Sequence, residues 1–141
     1  MKTKLPLSIL LSLATILPTF GQIKIEKVTN TAIVKFANES HLIAEKRNDF
    51  FSSIRIYTLG NLPGSAGYPN GEISENIYVA VSEWGESPLQ NLFCISDFYG
   101  PKFLKWDNEK EKTIDFIIYY GPADKLKTQR FEVAMEGIQL K

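Results

Sequence analysis

Cysteine and histidine are almost absent from this chain of 141 residues, which contains one of each, Cys94 and His41. One cysteine excludes an intramolecular disulfide. Zinc sites built from thiolate and imidazole ligands need several such residues together, so we expect no metal site of this kind. His41 lies in a charged stretch and no Gly-x-Ser-x-Gly motif occurs, so a hydroxyl or thiol nucleophile lacks an evident base. We therefore assign no catalytic residue, no metal ligand and no cofactor, and we expect His41 at the surface.

The single thiol lies in an apolar stretch, between Phe93 and Ile95. A cysteine in such a context usually packs as a small hydrophobic residue, and no cationic neighbour in this stretch would activate it. We expect Cys94 to be buried and unreactive.

Long apolar runs are missing except near the N-terminus. Two lysines precede an apolar run over residues 5–17, and Thr19 and Gly21 place small residues just before Gln22. A basic start, a short apolar run and small residues at these positions are typical of a secretory signal peptide. A transmembrane helix needs about 20 apolar residues, and this run is shorter. We predict a signal peptide over residues 1–21, a secreted or periplasmic protein with bacterial export as the expected route, and no integral membrane segment after cleavage.

Neither sign of charge dominates. The chain has 16 basic and 16 acidic residues; residues 1–21 include two of the lysines and no acid, so residues 22–141 carry a formal charge of −2. Nucleic-acid binding requires a basic surface, whereas the basic and acidic residues here are interleaved. We expect no nucleic-acid partner, and a single domain over residues 22–141, which is long enough to bury a core.

Short runs of β-branched and aromatic residues, separated by turn residues, make up most of residues 22–141. The stretch 41–48 favours neither the helical nor the strand period, and we predict a short helix there. The fold class is therefore all-β, an antiparallel β-sandwich of about eight strands, with a small closed β-barrel as the alternative. We predict strands over 23–28, 31–37, 51–59, 76–84, 92–99, 103–106, 113–120 and 127–135, with residues 121–124 as the turn of the last hairpin.

Glycine and proline are concentrated in one segment. Residues 60–71 contain four glycines, two prolines and two asparagines. This composition predicts a long exposed loop, and loops of this length are often binding sites. The alternative is a flexible connector that crosses between the two sheets.

The two tryptophans are the best candidate ligand-binding residues. Trp84 and Trp106 each stand at a predicted strand end, beside Glu86 and Asp107 respectively, and Tyr68 adds a ring in the glycine-rich loop. Aromatic rings beside carboxylates suit sugar rings, and tryptophan and tyrosine also anchor protein partners. The structural alternative is that the two tryptophans close the ends of the core.

Three functional hypotheses follow. The first is an exported, non-catalytic β-sandwich that binds a protein or a carbohydrate in the cell envelope or outside the cell. The second is a β-barrel that carries a small hydrophobic ligand. The third is a carbohydrate-active enzyme, for which carboxylate pairs such as Glu83 with Glu86, or Asp97 with Asp107, would have to face each other across a groove.

Overall fold

The computed structural model describes residues 25–67 and 71–141, so the predicted signal peptide and Tyr68 lie outside the described residues. No helix in these ranges combines the length and the apolar composition needed to cross a membrane. The elements are α1 (Thr31–Glu39), β1 (His41–Lys46), β2 (Phe51–Gly60), β3 (Ser74–Glu83), β4 (Gln90–Tyr99), β5 (Lys102–Asp107), β6 (Ile114–Tyr120), β7 (Lys127–Val133) and β8 (Ile138–Leu140).

The strands form two four-stranded sheets, with the orders β1-β2-β3-β4 and β5-β6-β7-β8, in which every neighbouring pair is antiparallel. The predicted all-β sandwich is therefore confirmed. The strands do not close into a barrel, so the alternative fold is wrong, and the hypothesis of a carrier loses the closed cavity that it required. One core between the sheets contains Phe51, Ile54, Ile56, Ile77, Val79, Val81 and Phe98 from the first sheet, and Ile114, Phe116, Ile118, Phe131, Val133 and Met135 from the second sheet and its last turn.

A helix, α1, replaces the strand predicted over residues 31–37. The Asn30 side chain caps it, because its Oδ1 accepts hydrogen bonds from the backbone N–H groups of Ala32 at 3.0 Å and Ile33 at 3.2 Å. The segment before the cap, residues 25–28 of the predicted first strand, has no regular structure. The alternation of apolar residues in this stretch was therefore a misleading signal.

The helix lies against the outer face of the first sheet through one aromatic ring. Phe36 packs edge-on against Tyr57 and Tyr78, with ring centroids 5.3 Å apart in each pair. Such pairs contribute about 0.5–1.5 kcal/mol each beyond the area that they bury. Because no residue of α1 is fully buried, these two ring contacts are the main attachment of the helix.

Residues 41–46 form strand β1, so the predicted helix over residues 41–48 is wrong. β1 pairs with β2, and a bulge between Leu42 and Ala44 leaves Ile43 as an extra residue in the ladder. An extra residue shifts the alternation of faces by one position, which removes the period of two that would have identified a strand. His41, at the start of β1, is exposed as expected.

The remaining six predicted strands correspond to β2–β7, and the turn predicted over residues 121–124 lies in the hairpin of β6 and β7. The short strand β8, which pairs with β7, was not predicted. Cys94 on β4 is exposed, which contradicts its expected burial. Its neighbours Phe93 and Ile95 pack against the core. Because side chains alternate between the two faces of a strand, the residue between them points to solvent.

The alternating strand directions divide the loops between two ends of the sandwich. One end, which we call the corner, contains the loop 61–73 and the turn 121–126. The other, which we call the tryptophan end, contains the loops 47–50, 84–89 and 108–113. The candidate site residues are distributed between these ends.

Candidate functional site

The tryptophan end contains four of the five predicted site residues. Trp84 is 58 % exposed, and its Nε1 donates a hydrogen bond to the backbone carbonyl of Asn48 at 2.8 Å. Glu86 is exposed in the adjoining turn. Trp84 therefore does not close the core, and it lies over the neighbouring loop with its indole N–H already engaged.

Trp106 and Asp107 make contacts within the protein. The Trp106 ring is half-buried, with its centroid 5.1 Å from that of Phe103 and 6.3 Å from that of Phe116 in the core. The Asp107 carboxylate is 2.8 Å from the Arg130 guanidinium. Trp106 thus partly has the structural role considered above, and Asp107 has a cationic partner in its own chain.

The other polar groups at this end also pair with one another. The Asn48 side chain donates a hydrogen bond to Glu109 at 2.9 Å, and Lys46 lies 2.8 Å from the same carboxylate. The hydrogen bond from Lys46, followed by that from Asn48, lowers the pKa of Glu109 from its ordinary value. A cavity of about 540 Å³ beside this network is lined by Asn48, Asp49, Phe50, Glu109, Lys110 and Glu111. Two of the four charged residues that line it have ion-pair partners, Glu109 with Lys46 and Lys110 with Glu132, whereas Asp49 and Glu111 have none in the described ranges.

A second cavity, of about 350 Å³, opens at the corner, and we call it the corner cleft. Three segments build it: the part of the loop that contains Ser65 and Ala66, the end of β4, and the hairpin of β6 and β7. A backbone hydrogen bond from the Gly121 N–H to the Tyr99 carbonyl, at 2.8 Å, ties the hairpin turn to β4. The residues that line the cleft are Ser65, Ala66, Ser74, Asp97, Tyr99, Tyr120, Gly121, Pro122, Lys125 and Lys127.

Asp97 lies in the cleft with a strained backbone. Its φ of 68° is in the left-handed region, where only one other non-glycine residue of the described ranges, Asn108, is found. The conformation arises at a bulge, where Asn76 of β3 faces the extra residue of β4. The side chain is exposed, and its carboxylate has no hydrogen bond or ion pair within the described ranges. Backbone strain of this kind is concentrated at functional sites, so Asp97 marks the cleft as a candidate.

Side-chain hydrogen bonds hold the base of the glycine-rich loop. Nδ2 of Asn61 donates to Oγ of Ser74 at 2.9 Å and to Oδ1 of Asn76 at 3.1 Å. The backbone N–H of Ser74 donates to Oγ of Ser65 at 2.8 Å, and the backbone N–H of Asp97 donates to Oδ1 of Asn76 at 3.3 Å. This network joins both ends of the loop to the strained residue of β4, so the wall of the cleft is preorganised.

The loop itself contains a short internal ladder. The Gly64 N–H donates to the Gly71 carbonyl at 3.0 Å, and the Ala66 N–H donates to the Glu72 carbonyl at 3.2 Å. Both glycines have positive φ, which other residues adopt only with strain. The loop joins β2 to β3, which are neighbours in one sheet, so the alternative of a connector between the two sheets is wrong.

The chemistry of the cleft combines aromatic and ionic groups. Tyr120 packs edge-on against buried Phe98, with centroids 5.0 Å apart, so the core fixes its position. Asp97 supplies a carboxylate that can accept hydrogen bonds from hydroxyl groups, and Lys125 and Lys127 supply two ammonium groups. Such a surface can bind a hydroxyl-rich ligand without help from a metal.

Sequence reasoning identified the loop but not the residues that meet it. The composition of residues 60–71 predicted a long exposed loop, with a binding site as one interpretation, and Tyr68, the site residue predicted there, lies outside the described ranges. Asp97, Tyr120, Lys125 and Lys127 were not predicted as ligand-binding residues. No family model, no curated protein and no solved structure matches this chain.

Proposed function

We propose that this protein is an exported, non-catalytic module that binds a glycan in the corner cleft. The observation that carries the proposal is Asp97, an aspartate in a left-handed conformation whose carboxylate is left without a partner in the described ranges, beside a preorganised loop. A non-glycine residue keeps a left-handed conformation only where the surrounding structure imposes it, and aspartate, like asparagine, tolerates that conformation better than most residues. A ligand that needs this carboxylate would explain why the residue is not a glycine.

The shape and lining of the cleft suit a sugar. Its volume of about 350 Å³ falls near the lower end of the range for small-molecule sites, about 300–1,000 Å³. Sugar rings have apolar faces that pack on aromatic rings, and hydroxyl groups that need acceptors and donors. Tyr99 and Tyr120 supply rings, and Asp97 with Ser65 supplies polar groups.

The placement of carboxylates supports binding over hydrolysis. Glycoside hydrolysis usually requires two carboxyl groups on either side of the scissile bond. Of the two pairs considered from the sequence, Asp97 and Asp107 are divided between the two ends of the sandwich, because β4 ends at the corner and β5 ends at the tryptophan end. Glu83 and Glu86 both lie at the tryptophan end, outside the lining of the corner cleft. Within the lining of the cleft Asp97 is the one acidic residue described.

Screening the purified protein on a glycan array, followed by calorimetry with the sugars that bind, tests the proposal. The key variant is Asp97→Asn, because asparagine also tolerates the left-handed conformation and only the charge is lost. We expect this variant to weaken binding about tenfold, as is typical for the loss of a hydrogen bond to a charged group. The matched control is Asp124→Asn, in the same corner but outside the lining of the cleft.

Two results would overturn the proposal. One is the absence of any bound sugar in both assays. The other is a sugar that binds equally well to the protein and to the Asp97→Asn variant but is lost on Trp84→Phe, which would place the site at the tryptophan end.

A further inference from the structure

The lysines of the corner cleft lack acidic partners within the described ranges. Lys125 and Lys127 are exposed and line the cleft, and neither forms an ion pair there. Two lysines elsewhere have such partners, since Lys46 lies 2.8 Å from Glu109 and Lys141 lies 2.9 Å from Glu132, whereas exposed Lys112 resembles the cleft lysines in having no ion pair in the described ranges. The cleft therefore presents positive charge that the protein does not itself neutralise.

The hairpin keeps these two lysines in a defined place. The backbone N–H of Lys125 donates to the Pro122 carbonyl at 2.8 Å, and Lys127 pairs with Tyr120 in the ladder between β7 and β6. Gly121 has a φ of 105°, and a Cβ there would lie 3.0 Å from the Lys125 carbonyl oxygen, so the tight turn requires glycine. The backbone positions of both ammonium-bearing residues are thus set before a ligand arrives.

The charges that line the cleft do not cancel. Two lysines oppose one aspartate, and Asp124, in the same turn, does not line the cleft. We infer that the ligand is a sugar with an acidic substituent, which binds to Lys125 and Lys127 while its hydroxyl groups bind to Asp97. This inference rests on the proposed function and specifies its ligand. A neutral sugar would use Asp97 and the rings but would leave both lysines without a partner.

Lysine is compatible with more than one acidic group. Its ammonium acts as a point charge with three donors and lacks the planar fork that favours a carboxylate in arginine. The shared chemistry is therefore an anionic oxygen group on a sugar, either the carboxylate of a uronic acid or a sulfate ester. Comparing the two groups on oligosaccharides of equal length identifies which one this protein prefers.

Calorimetry with three oligosaccharides tests the inference: one that contains uronic acid, its counterpart with the carboxyl groups reduced to alcohols, and a sulfated oligosaccharide of the same length. We expect one of the acidic sugars to bind at least about tenfold more tightly than the neutral one, because hydrogen bonds to charged groups contribute about 1.5–3 kcal/mol. Added salt should weaken only the acidic interaction.

Lysine variants test whether the preference for an acidic sugar comes from the corner cleft. Lys125→Gln and Lys127→Gln should each reduce the affinity for the acidic sugar about three- to tenfold and leave the neutral sugar unaffected. Lys112→Gln is the matched control, because Lys112 is exposed at the tryptophan end and has no ion pair in the part of the chain that the structure describes. We expect this variant to bind like the unmodified protein.

The two levels of the proposal fail differently. If neutral and acidic sugars bind equally well and Asp97→Asn still weakens both, the inference about acidic sugars is wrong and the glycan-binding function stands. If no sugar of any kind binds, the proposed function itself is overturned.

Discussion

Asn76 controls the backbone of Asp97, because its Oδ1 accepts the Asp97 N–H at 3.3 Å across the bulge between β3 and β4. The same oxygen accepts a hydrogen bond from Nδ2 of Asn61 at 3.1 Å, at the start of the glycine-rich loop. One amide group therefore connects the loop to the strained residue. Any change that removes this amide should loosen both walls of the corner cleft together.

The strain at Asp97 predicts an unusual order of stability among its variants. Glycine adopts a positive φ without steric cost, whereas alanine does so at a cost of about 1–2 kcal/mol. Because the Asp97 carboxylate has no partner within the described ranges, its removal should cost little by itself. We expect the free energy of unfolding, measured in urea, to be at least about 1 kcal/mol higher for Asp97→Gly than for Asp97→Ala. Both variants should lose ligand affinity.

The control for this comparison is Asn108, the other non-glycine residue with a positive φ in the described ranges. Its Nδ2 donates to Oδ2 of the buried residue Asp115 at 3.0 Å, so its side chain has a structural role. Asn108→Gly should therefore destabilise the protein although it relieves the same strain. An Asp97→Gly variant less stable than Asp97→Ala would show that the Asp97 carboxylate also stabilises the fold.

The loop network makes a second prediction. Asn76→Ala leaves the donors of Asn61 and Asp97 without their shared acceptor, so we expect a loss of about 0.5–1.5 kcal/mol in the free energy of unfolding. Amide hydrogen exchange in residues 61–73 should become faster, because the base of the loop is no longer held.

Asn91→Ala is the matched variant at the opposite end of the sandwich, where Nδ2 of Asn91 donates to the Met135 carbonyl at 2.9 Å. It should also destabilise the protein but leave exchange in the loop 61–73 unchanged. Equal exchange in the loop for both variants would mean that the Asn76 amide does not organise the corner.

The fold was predictable where local patterns agree with the final contacts. On β7, Phe131 and Val133 alternate with Arg130 and Glu132, and burial follows the same alternation. The same rule applied to β4 places Cys94 on the solvent side, between Phe93 and Ile95. The exposure of Cys94 could therefore have been predicted from the sequence.

Other errors have a physical origin in single residues. The apolar alternation around Val34 resembles a strand, yet Asn30 is a strong helix N-cap, and the cap and the packing of Phe36 determine the outcome. The bulge at Ile43 interrupts the alternation of faces in β1, so the sequence pattern does not identify this strand. The candidate site was harder to predict, because the register between β3 and β4, and hence the strain at Asp97, arises from pairing of distant segments.

A third prediction concerns the solvent exposure of the two tryptophans, which fluorescence quenching measures directly. Trp84 is 58 % exposed and Trp106 is half-buried against Phe103 and Phe116. Acrylamide should therefore quench the Trp84 emission, isolated in the Trp106→Phe variant, more strongly than the Trp106 emission, isolated in Trp84→Phe. Equal quenching in both variants would contradict the packing of Trp106 described here. A change in either signal on addition of sugar would indicate that the tryptophan end takes part in binding.

The ion pair of Lys46 and Glu109 predicts how stability responds to acid. The hydrogen bond from Lys46 is the main cause of the lowered pKa of Glu109 in the folded protein. A carboxyl group whose pKa falls on folding stabilises the folded state above its unfolded pKa, and this contribution disappears as the pH falls through the folded pKa. Because Glu109 is well exposed, we expect the contribution to be at most about 1 kcal/mol.

Urea unfolding of the protein and of Lys46→Gln, between about pH 7 and pH 3, tests this expectation. The two free energies of unfolding should differ at neutral pH and converge as the pH falls through the lowered pKa of Glu109 in the folded protein. Glu132, whose pKa is also lowered, mainly by Lys141, is common to both proteins, so its titration cancels in the difference. The free energy of unfolding of Lys112→Gln should follow that of the unmodified protein at every pH, because this substitution removes the same charge without breaking an ion pair. A constant difference between the protein and Lys46→Gln over the whole range would show that Lys46 stabilises the fold through its packing and not through Glu109.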